Sequence, residues 1–271
     1  YVLEKLKFDK KTKFFCSGYV DFGNRKFHCW KEGGHGSLDL KDAIKQSCDC
    51  YFYNLAKTIQ IDSLSKFSKN FSMGVATNRD FPNESIGIMP DSKWKVKNKG
   101  EKWHRGETLN SVIGQGFILS TPLQITLMTA MLATGKVIKP KILYDNNNFF
   151  EDTDVSKENL DFIRKSMYSV VNEFKGTAFG SRLSGKLKMV GKTGTSQVRK
   201  ISKEEREDRV LKNEELIYKL RDHSIFTGYA PYKNPKYALT VIAEHMGSGS
   251  KVAAPIAKQL MNFSLKKFLN T

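Results

Sequence analysis

The feature that most constrains the fold is a change of hydrophobic period near residue 187. Before it, apolar residues recur at helical spacing in four segments, 39–58, 62–73, 123–133 and 156–174. After it, three segments read as extended strands, 187–198, 224–230 and 237–244. A last segment, 253–269, predicts a closing helix. This order predicts an α/β fold of the α+β kind, an antiparallel sheet flanked by helices, rather than a doubly wound parallel sheet.

The segments between these elements carry weaker signals. Residues 1–36 are rich in Lys, Gly and aromatic residues, and we predict irregular structure there. Residues 80–110 carry Pro, Gly and Lys in clusters typical of loops. Residues 200–221 are highly charged and predict a helical excursion on the surface. Thr121-Pro122 marks the start of a buried helix, with Pro at its first position.

Composition sets the class of protein but leaves its partner open. The chain has 271 residues, 39% of them hydrophobic, and we expect one globular domain over 1–271. Its net charge of +17 favours an anionic partner. Because no zinc-finger, RRM or homeodomain signature is present and the lysines are spread along the chain, we expect no nucleic-acid partner. No membrane span or signal peptide is recognisable and the first residue is Tyr1, so we expect a fragment or a processed product.

The strongest local motif is Lys192-Thr193-Gly194-Thr195, which falls in a predicted strand followed by a hairpin and a helix. Gly191 and Gly194 leave one face of that strand bare, so another backbone can approach closely. Threonine hydroxyls and a lysine ammonium beside the bare strand would suit an extended peptide that ends in a carboxylate. The triplet Lys-Thr-Gly alone is weak evidence, and its context makes it stronger.

With Ser47-Cys48-Asp49 far upstream, this motif gives the chain its resemblance to the transpeptidase domain of class B penicillin-binding proteins. That family carries Ser-x-x-Lys, then Ser-x-Asn or Ser-x-Asp, then Lys-[Ser/Thr]-Gly. Ser47–Asp49 resembles the second motif and Lys192–Gly194 the third. Other matching stretches are Gly33-Gly34-His35-Gly36, Gly114-Gln115-Gly116, Ser120–Gln124, Gly176-Thr177-Ala178 and Ala230-Pro231-Tyr232. The aspartate of the second motif, the His35 segment and Arg221-Asp222-His223 resemble the subfamily that acts in cell elongation.

The nucleophile motif of the family is absent before Ser47. Later matches to Ser-x-x-Lys include Ser63–Lys66, Ser248–Lys251 and Ser264–Lys267, and we interpret these three as chance matches. Family order then implies that the nucleophilic serine and its lysine lie upstream of Tyr1. The resemblance thus implies the penicillin-binding transpeptidase fold without its N-terminal part. A chain without that segment would form no acyl-enzyme.

The resemblance implies a peptidoglycan D,D-transpeptidase that cross-links stem peptides through a serine acyl-enzyme and is acylated by β-lactams. It implies that Ser47 relays a proton to the leaving amine and that Lys192 supplies a positive field. Asp49 would orient Lys192 or the substrate amide. Thr193 and Thr195 would bind the terminal carboxylate beside Gly194, and the Thr195 N–H would be one oxyanion-hole donor. Structural interpretations stay open: Ser47 could cap the following helix, and Asp49 could be a first-turn acid facing the helix dipole.

The four cysteines are Cys16, Cys29, Cys48 and Cys50. In an extracytoplasmic protein, four cysteines suggest two disulfides, but Cys48 and Cys50 are too close in sequence to pair without strain. Cys16, Cys29, His35 and Cys48 form a Cys3His set, although their spacing matches no standard zinc finger. Similar proteins carry a ligand at these four places, with Asp replacing the first two cysteines, which implies a structural zinc ion. Disulfides or free thiols remain the alternative, with Cys50 as a spare and His28 as a substitute ligand.

Two other functions stay open at this point. One is a β-lactam-hydrolysing or β-lactam-sensing relative, and the other is a non-enzymatic basic binding module. For the transpeptidase, the resemblance implies a membrane-anchored parent chain on the periplasmic face of the bacterial inner membrane. It also implies work with a lipid-II glycosyltransferase and a cell-shape scaffold protein.

Overall fold

A computed structural model describes residues 1–77, 83–142, 150–207 and 209–269. The helices are α1 (Val2–Lys5), α2 (Leu40–Gln46), α3 (Asp49–Ala56), α4 (Ile61–Lys69), α5 (Ser92–Lys99), α6 (Arg105–Ser111), α7 (Pro122–Thr134), α8 (Lys157–Asn172), α9 (Lys203–Glu207) and α10 (Ala253–Leu269). The strands are β1 (Phe14–Cys16), β2 (Tyr19–Phe22), β3 (Arg25–His28), β4 (Gly36–Leu38), β5 (Val190–Ser196), β6 (His223–Ala230) and β7 (Tyr237–Ala243). The predicted α+β arrangement is confirmed. Among the described residues, no helix is long and apolar enough to cross a membrane.

The central sheet is antiparallel with the strand order β5-β6-β7, so β5 lies at its edge. Lys192 pairs with Thr227 and Gly194 with Ile225, which fixes the register of the edge strand. Helix α10 packs its small residues and Met261 on the face that carries Phe226. Helix α7 contacts the opposite face, where the Thr129 hydroxyl bonds the Thr227 hydroxyl at 2.7 Å. The sheet is therefore enclosed between helices, as apolar strands require.

The helices that sequence predicted best carry strong terminal signals. Thr121 accepts a hydrogen bond from the Gln124 N–H at the start of α7, Pro122 follows it, and Gly135 ends the helix at φ 75°. Ser156 similarly caps α8 by accepting from the Asn159 N–H. These residues satisfy backbone groups that a helix end leaves open. Both predicted helices are confirmed.

Three local predictions are wrong, each for a physical reason. Residues 1–36 are not irregular, because β1 pairs with β4 and β2 with β3, but strands of three or four residues leave little periodicity to detect. Residues 80–110 are not only loops, because they include α5 and α6. In α5 the core position is taken by a charged residue, the buried Lys95, so the apolar pattern of a helix is hard to recognise. The Lys95 ammonium contacts Glu107 at 2.6 Å and Glu101 at 3.2 Å. The single helix predicted over 39–58 is interrupted at Ser47. The prediction missed this break because the apolar spacing continues across it.

The charged stretch 200–221 is only partly helical. It contains the short α9 and two 3₁₀ turns, Asn213–Glu215 and Tyr218–Leu220. Bidentate ion pairs hold it, with Arg199 on Glu205 and Arg209 on Glu215. The predicted helical excursion is therefore confirmed only for α9. The charged residues did not require a helix, because their ion pairs stabilise turns equally well.

Helix α2 positions the N-terminal elements against the sheet. Its Ile44 packs on both the N-terminal core and the core beneath the sheet. Lys41 and Lys45 pair with Glu173 at the end of α8, at 3.0 and 3.5 Å. The Lys45 carbonyl also accepts from the Thr177 N–H at 3.2 Å. The last residues of α2 are therefore held at a defined place beside β5.

The close packing at Gly191 gives a test of the fold. A Cβ there would lie 2.3 Å from the Phe226 ring and 2.6 Å from the Thr227 carbonyl oxygen. We expect Gly191→Ala to destabilise the protein by about 3 kcal/mol, because the overpacked atoms belong to a buried ring and to backbone. Urea unfolding measures this. The matched control is Gly180→Ala, whose Cβ meets no atom within 4 Å and which should change stability by less than about 0.5 kcal/mol. Equal effects of the two substitutions would contradict the packing described.

Candidate active site

Ser47 and Lys192 meet directly, although 145 positions of chain separate them. Lys192 Nζ on β5 donates a hydrogen bond to Ser47 Oγ at 2.7 Å and a second one to the Thr193 carbonyl at 2.9 Å. The predicted juxtaposition of the second and third motifs is thereby confirmed. Because an ammonium can only donate, the Ser47 hydroxyl accepts from Lys192 and its own proton points elsewhere.

Ser47 adopts a left-handed backbone conformation, with φ 55° and ψ 50°. It ends α2, and Cys48 rather than Ser47 is the N-cap of α3, so the interpretation of Ser47 as an N-cap is wrong. For a residue other than glycine this conformation costs about 1–2 kcal/mol. Surrounding contacts must offset that cost, and the turn aims the hydroxyl at β5.

Asp49 is the first residue of α3, which agrees with the interpretation as a first-turn acid. Its carboxylate accepts a hydrogen bond from the Trp30 N–H at 3.0 Å, and no ion pair within 4 Å joins it to Lys192 in the described part of the chain. Burial raises the pKa of Asp49 to about 7, with the Cys29 thiolate acting in the same direction and Trp30 and Lys192 opposing it. Asp49 therefore acts on Lys192 through its charge rather than through direct contact.

The buried position of Lys192 is unfavourable for its charged form, because the ammonium loses contact with water. Burial of the ammonium lowers the pKa of Lys192 from its ordinary 10.5 to about 8, and the Asp49 carboxylate opposes this shift. A lysine with such a pKa gains or loses its proton near neutral pH. The side chain can thus serve as a positive charge or exchange a proton with Ser47.

The residues after Lys192 are held by groups outside the motif. The Thr193 hydroxyl bonds the Thr177 hydroxyl at 2.7 Å, so Thr177 joins the site from the segment after α8. Gly194 lies beneath Gly249, whose added Cβ would lie 2.3 Å from the Gly194 carbonyl oxygen. In the described part of the chain, an added Cβ at Gly194 would meet only the Ile225 side chain, at 3.3 Å, so Gly249 does not cover the side that this glycine leaves bare. Thr195 is exposed, and a ligand must reach the strand at its edge.

Gln115 closes part of that edge. Its Nε2 donates to the Thr195 carbonyl at 2.7 Å, and its Oε1 accepts from the Gln197 N–H at 3.3 Å. Gly114 and Gly116 flank it at φ 77° and 79°, conformations that glycine adopts without strain. The side-chain amide thus satisfies backbone groups that a neighbouring strand would otherwise bond. Sequence comparison singled out the stretches around Thr177 and Gln115 but gave neither residue a role, because contacts across 16 and 80 positions leave no local pattern.

The serines of the three later Ser-x-x-Lys matches named above lie on other elements than Ser47 and Lys192. Ser63 is on α4, and Ser264 on α10 donates to the Leu260 carbonyl. Ser248 follows β7, and its hydroxyl bonds that of Ser250 at 2.8 Å. No hydrogen bond among the described residues joins these three serines to Lys192, which agrees with their interpretation as chance matches.

The predicted metal ligands come together beside this site. The ligand atoms of Cys16, Cys29, His35 and Cys48 all lie within 4.8 Å of one another. His35 Nδ1 is 3.6 Å from the sulfur of Cys16 and 3.5 Å from that of Cys29. All four cysteines are free thiols, so the two-disulfide alternative is wrong for this structure. His28 and Cys50 do not belong to the set of four.

The chemistry of this cluster suits a cation such as zinc. The three sulfurs are buried, and hydrogen bonds from the Cys48 and Cys50 thiols lower the pKa of Cys29 well below its usual range. Three sulfurs and one imidazole nitrogen form a common donor set for structural zinc. The residues present therefore fit the metal that the resemblance implied.

Comparison with known proteins gives one consistent relationship. The model of the penicillin binding protein transpeptidase domain matches residues 1–262. The peptidoglycan D,D-transpeptidase MrdA of Haemophilus influenzae is 36% identical over 273 residues, which cover 95% of this chain and 41% of that protein. The chain thus spans about two-fifths of the length of the curated relatives it matches.

Solved structures agree with this relationship. Penicillin-binding protein PBP2 in its complex with MreC from Helicobacter pylori superposes with a TM-score of 0.86 at 35% identity, over 99% of this chain and 47% of that chain. A peptidoglycan synthase complex, described as coordinating polymerization and crosslinking, contains a similar chain at 25% identity and a TM-score of 0.74. That match covers 96% of this chain and 43% of the other.

The lowered pKa of Lys192 predicts a specific dependence of stability on pH. Below about pH 8 the lysine is charged in the folded and unfolded states alike. Between about 8 and 10.5 the folded protein loses the proton that the unfolded chain keeps, so the free energy of unfolding rises with pH. From pH 7 to 9.5 we expect the wild type to gain about 2 kcal/mol relative to Lys192→Met, measured by urea unfolding. A constant difference between the two proteins over that range would contradict a desolvated ammonium.

Proposed function

The chain belongs to the penicillin-binding protein transpeptidase family, and from that premise we propose that it forms the body of a peptidoglycan D,D-transpeptidase. Its reaction would cross-link stem peptides in cell elongation, through a serine acyl-enzyme that β-lactams also form. The contact between Lys192 Nζ and Ser47 Oγ at 2.7 Å carries this proposal, because it unites two family motifs from distant parts of the chain. The D,D-transpeptidase name of the MrdA relatives supports it over a lactamase, a sensor or a basic binding module.

The reacting serine would belong to a longer form of the protein. In the family order, Ser-x-x-Lys precedes the Ser47 motif, and no match to it precedes Ser47 here. That serine would attack the carbonyl carbon of the D-Ala-D-Ala amide and form an ester as the C–N bond breaks. An amine of a second stem peptide would then take the acyl group and restore the serine. The residues of this chain would bind the peptide and move protons around the reacting bond.

Ser47 would deliver the proton that the leaving amine needs. Its oxygen accepts from Lys192, so its own proton is free to point into the groove. As the C–N bond breaks, Ser47 can give that proton to nitrogen and recover one from Lys192, whose pKa of about 8 allows the exchange. Asp49 would keep Lys192 partly charged at neutral pH through its own negative charge.

The free edge of β5 would bind the stem peptide as an added strand. Such pairing uses backbone groups for affinity and leaves side chains to give specificity. The Thr195 N–H would be an oxyanion-hole donor, and Thr195 and Thr193 would bind the terminal carboxylate beside Lys192. The bond from Thr193 to Thr177 would fix the orientation of that hydroxyl.

We propose further that Cys16, Cys29, His35 and Cys48 hold a structural zinc ion. When bound, the metal would supply fixed bonds between β1, the residue after β3, the residue before β4 and the N-cap of α3, and no part of the acyl transfer. Since Cys48 directly follows Ser47, the four ligands would limit the movement of the catalytic turn. The Nε2 of His35 is buried and has no hydrogen-bond partner among the residues that the structure describes, so the ring is held by its Nδ1 side.

We also propose the setting of this activity. A parent chain with a membrane anchor would place the domain at the periplasmic face of the bacterial inner membrane. The PBP2–MreC complex and the peptidoglycan synthase complex among the similar structures support a scaffold partner and a lipid-II glycosyltransferase partner. The net charge of +17 would suit work next to anionic lipid and cell-wall polymer.

Covalent labelling tests the activity. Full-length protein incubated with benzylpenicillin should gain one lasting adduct by intact mass, and Ser47→Ala should slow acylation by about 100-fold or more, because the proton relay is lost. Ser63→Ala is the matched control: Ser63 fits the nucleophile pattern but lies on α4, so its variant should react at the wild-type rate. Rapid nitrocefin turnover without a lasting adduct would instead favour the lactamase alternative. Absence of any adduct on the wild type would refute the proposal.

Metal analysis tests the zinc site separately. We expect about one zinc ion per chain in the purified protein and almost none in Cys29→Ala, because three ligands hold a structural metal poorly. Cys50→Ala is the matched control, since it removes a buried thiol next to the cluster and leaves all four ligands. Wild-type protein purified without metal, or zinc lost equally from both variants, would speak against the assignment.

A further inference from the structure

Trp30 connects the metal cluster to the catalytic turn through three contacts. Its indole Nε1–H points at two carbonyl oxygens, 2.8 Å from that of Ser47 and 3.1 Å from that of Gln46. Its backbone N–H donates to the Asp49 carboxylate at 3.0 Å. Its ring packs edge-on against the ring of His35, with centroids 5.4 Å apart. Trp30 thus contacts residues before and after Ser47 in the sequence, and it also contacts one of the four predicted metal ligands.

The indole contact answers a need that the turn creates. Gln46 and Ser47 end α2, where carbonyl groups lack partners within the helix. The left-handed conformation of Ser47 is unfavourable for its residue type and needs external contacts to persist. An indole N–H between the two carbonyls satisfies both and favours the one backbone conformation in which they converge.

The exposure of Trp30 also points to a role beyond core packing. Its side chain is 61% exposed, so burial of the ring gains little stability. The polar end of the ring is nevertheless bonded, and the residue directly follows the predicted ligand Cys29 in sequence. A surface tryptophan kept only for packing would not need that bond.

We infer that Trp30 is a positioning residue for the acyl-transfer reaction: its indole N–H holds the Ser47 turn so that the Ser47 hydroxyl faces Lys192. The inference rests on the proposed function, in which Ser47 relays a proton. Without the indole N–H, Ser47 would sample other backbone conformations and its hydroxyl would meet Lys192 only part of the time. Peptide binding at the β5 edge would be unaffected, because Trp30 hydrogen-bonds no residue of β5 in the described part of the chain.

The test separates binding from chemistry in the full-length protein. Trp30→Phe keeps an aromatic ring against His35 and removes the N–H. With benzylpenicillin we expect the first-order acylation constant to fall about tenfold, which corresponds to about 1.4 kcal/mol, the size of one net hydrogen bond. The dissociation constant of the initial non-covalent complex and the zinc content should stay within twofold of the wild type.

The matched control is Trp103→Phe. Trp103 also donates its indole N–H, to the Thr108 hydroxyl at 2.9 Å, and among the described residues it has no hydrogen bond to Ser47 or its sequence neighbours. This variant should acylate within twofold of the wild-type rate. Replacement of Trp30 by benzothienylalanine, which exchanges the N–H for sulfur in a ring of the same shape, should reproduce the loss if Trp30→Phe folds poorly.

An unchanged acylation constant in the benzothienylalanine variant would overturn the inference. So would a loss of rate that follows a parallel loss of zinc, because Trp30 would then act by holding the metal cluster. These outcomes differ from failure of the proposed function: wild-type protein that forms no adduct would reject the transpeptidase and this inference with it.

Discussion

The hydrogen bond from Lys192 to Ser47 forms where two hydrophobic cores meet. One core surrounds the cysteines and the aromatic face of α3, and the other lies beneath the sheet. Helix α2 links them, since its Ile44 touches both and Glu173 fixes its lysines to α8. The position of Ser47 against Lys192 therefore depends on how α2 is held between the two cores.

The charges at the site are arranged to keep proton exchange possible near neutral pH. Burial raises the pKa of Asp49 and lowers that of Lys192, so the two values approach each other, at about 7 and 8. A fully solvated pair would differ by more than six units and would hold its proton firmly on lysine. The desolvation that destabilises each group is thus the same effect that makes Lys192 able to exchange a proton with Ser47. Burial of these two charged groups therefore lowers the stability of the folded protein and would favour proton transfer at the same place.

The sequence predicted those parts of the fold whose signals are local. Helix α7 was predicted correctly because Thr121 and Pro122 mark its start, and the sheet because its strands are short extended segments that pair in chain order. Helix α5 was missed because its core position carries Lys95, whose partners lie 6 and 12 residues away. The motif order placed Ser47 against Lys192, but it could not reveal Thr177 or Trp30, whose roles arise from contacts across the fold. The break of the helix at Ser47 was invisible for a related reason, since apolar periodicity does not register backbone strain.

The two glycines of the Lys192 strand show how a correctly recognised sequence pattern can lead to a wrong structural interpretation. Glycine at 191 and 194 does allow close approach, but the two lie on opposite faces of the strand, and the groups nearest to them are the Phe226 ring and the Ile225 side chain. Helices cover both faces of the sheet, and β6 pairs with one edge of β5. An extended peptide could therefore pair only with the other edge of β5, which is free. Gln115 already occupies that edge at Thr195 and Gln197, so an incoming strand that extends this far must displace the amide or end before it. Under the proposed function, the length of peptide that could pair with β5 would therefore be set by Gln115, which lies eighty positions earlier in the chain between two glycines with positive φ.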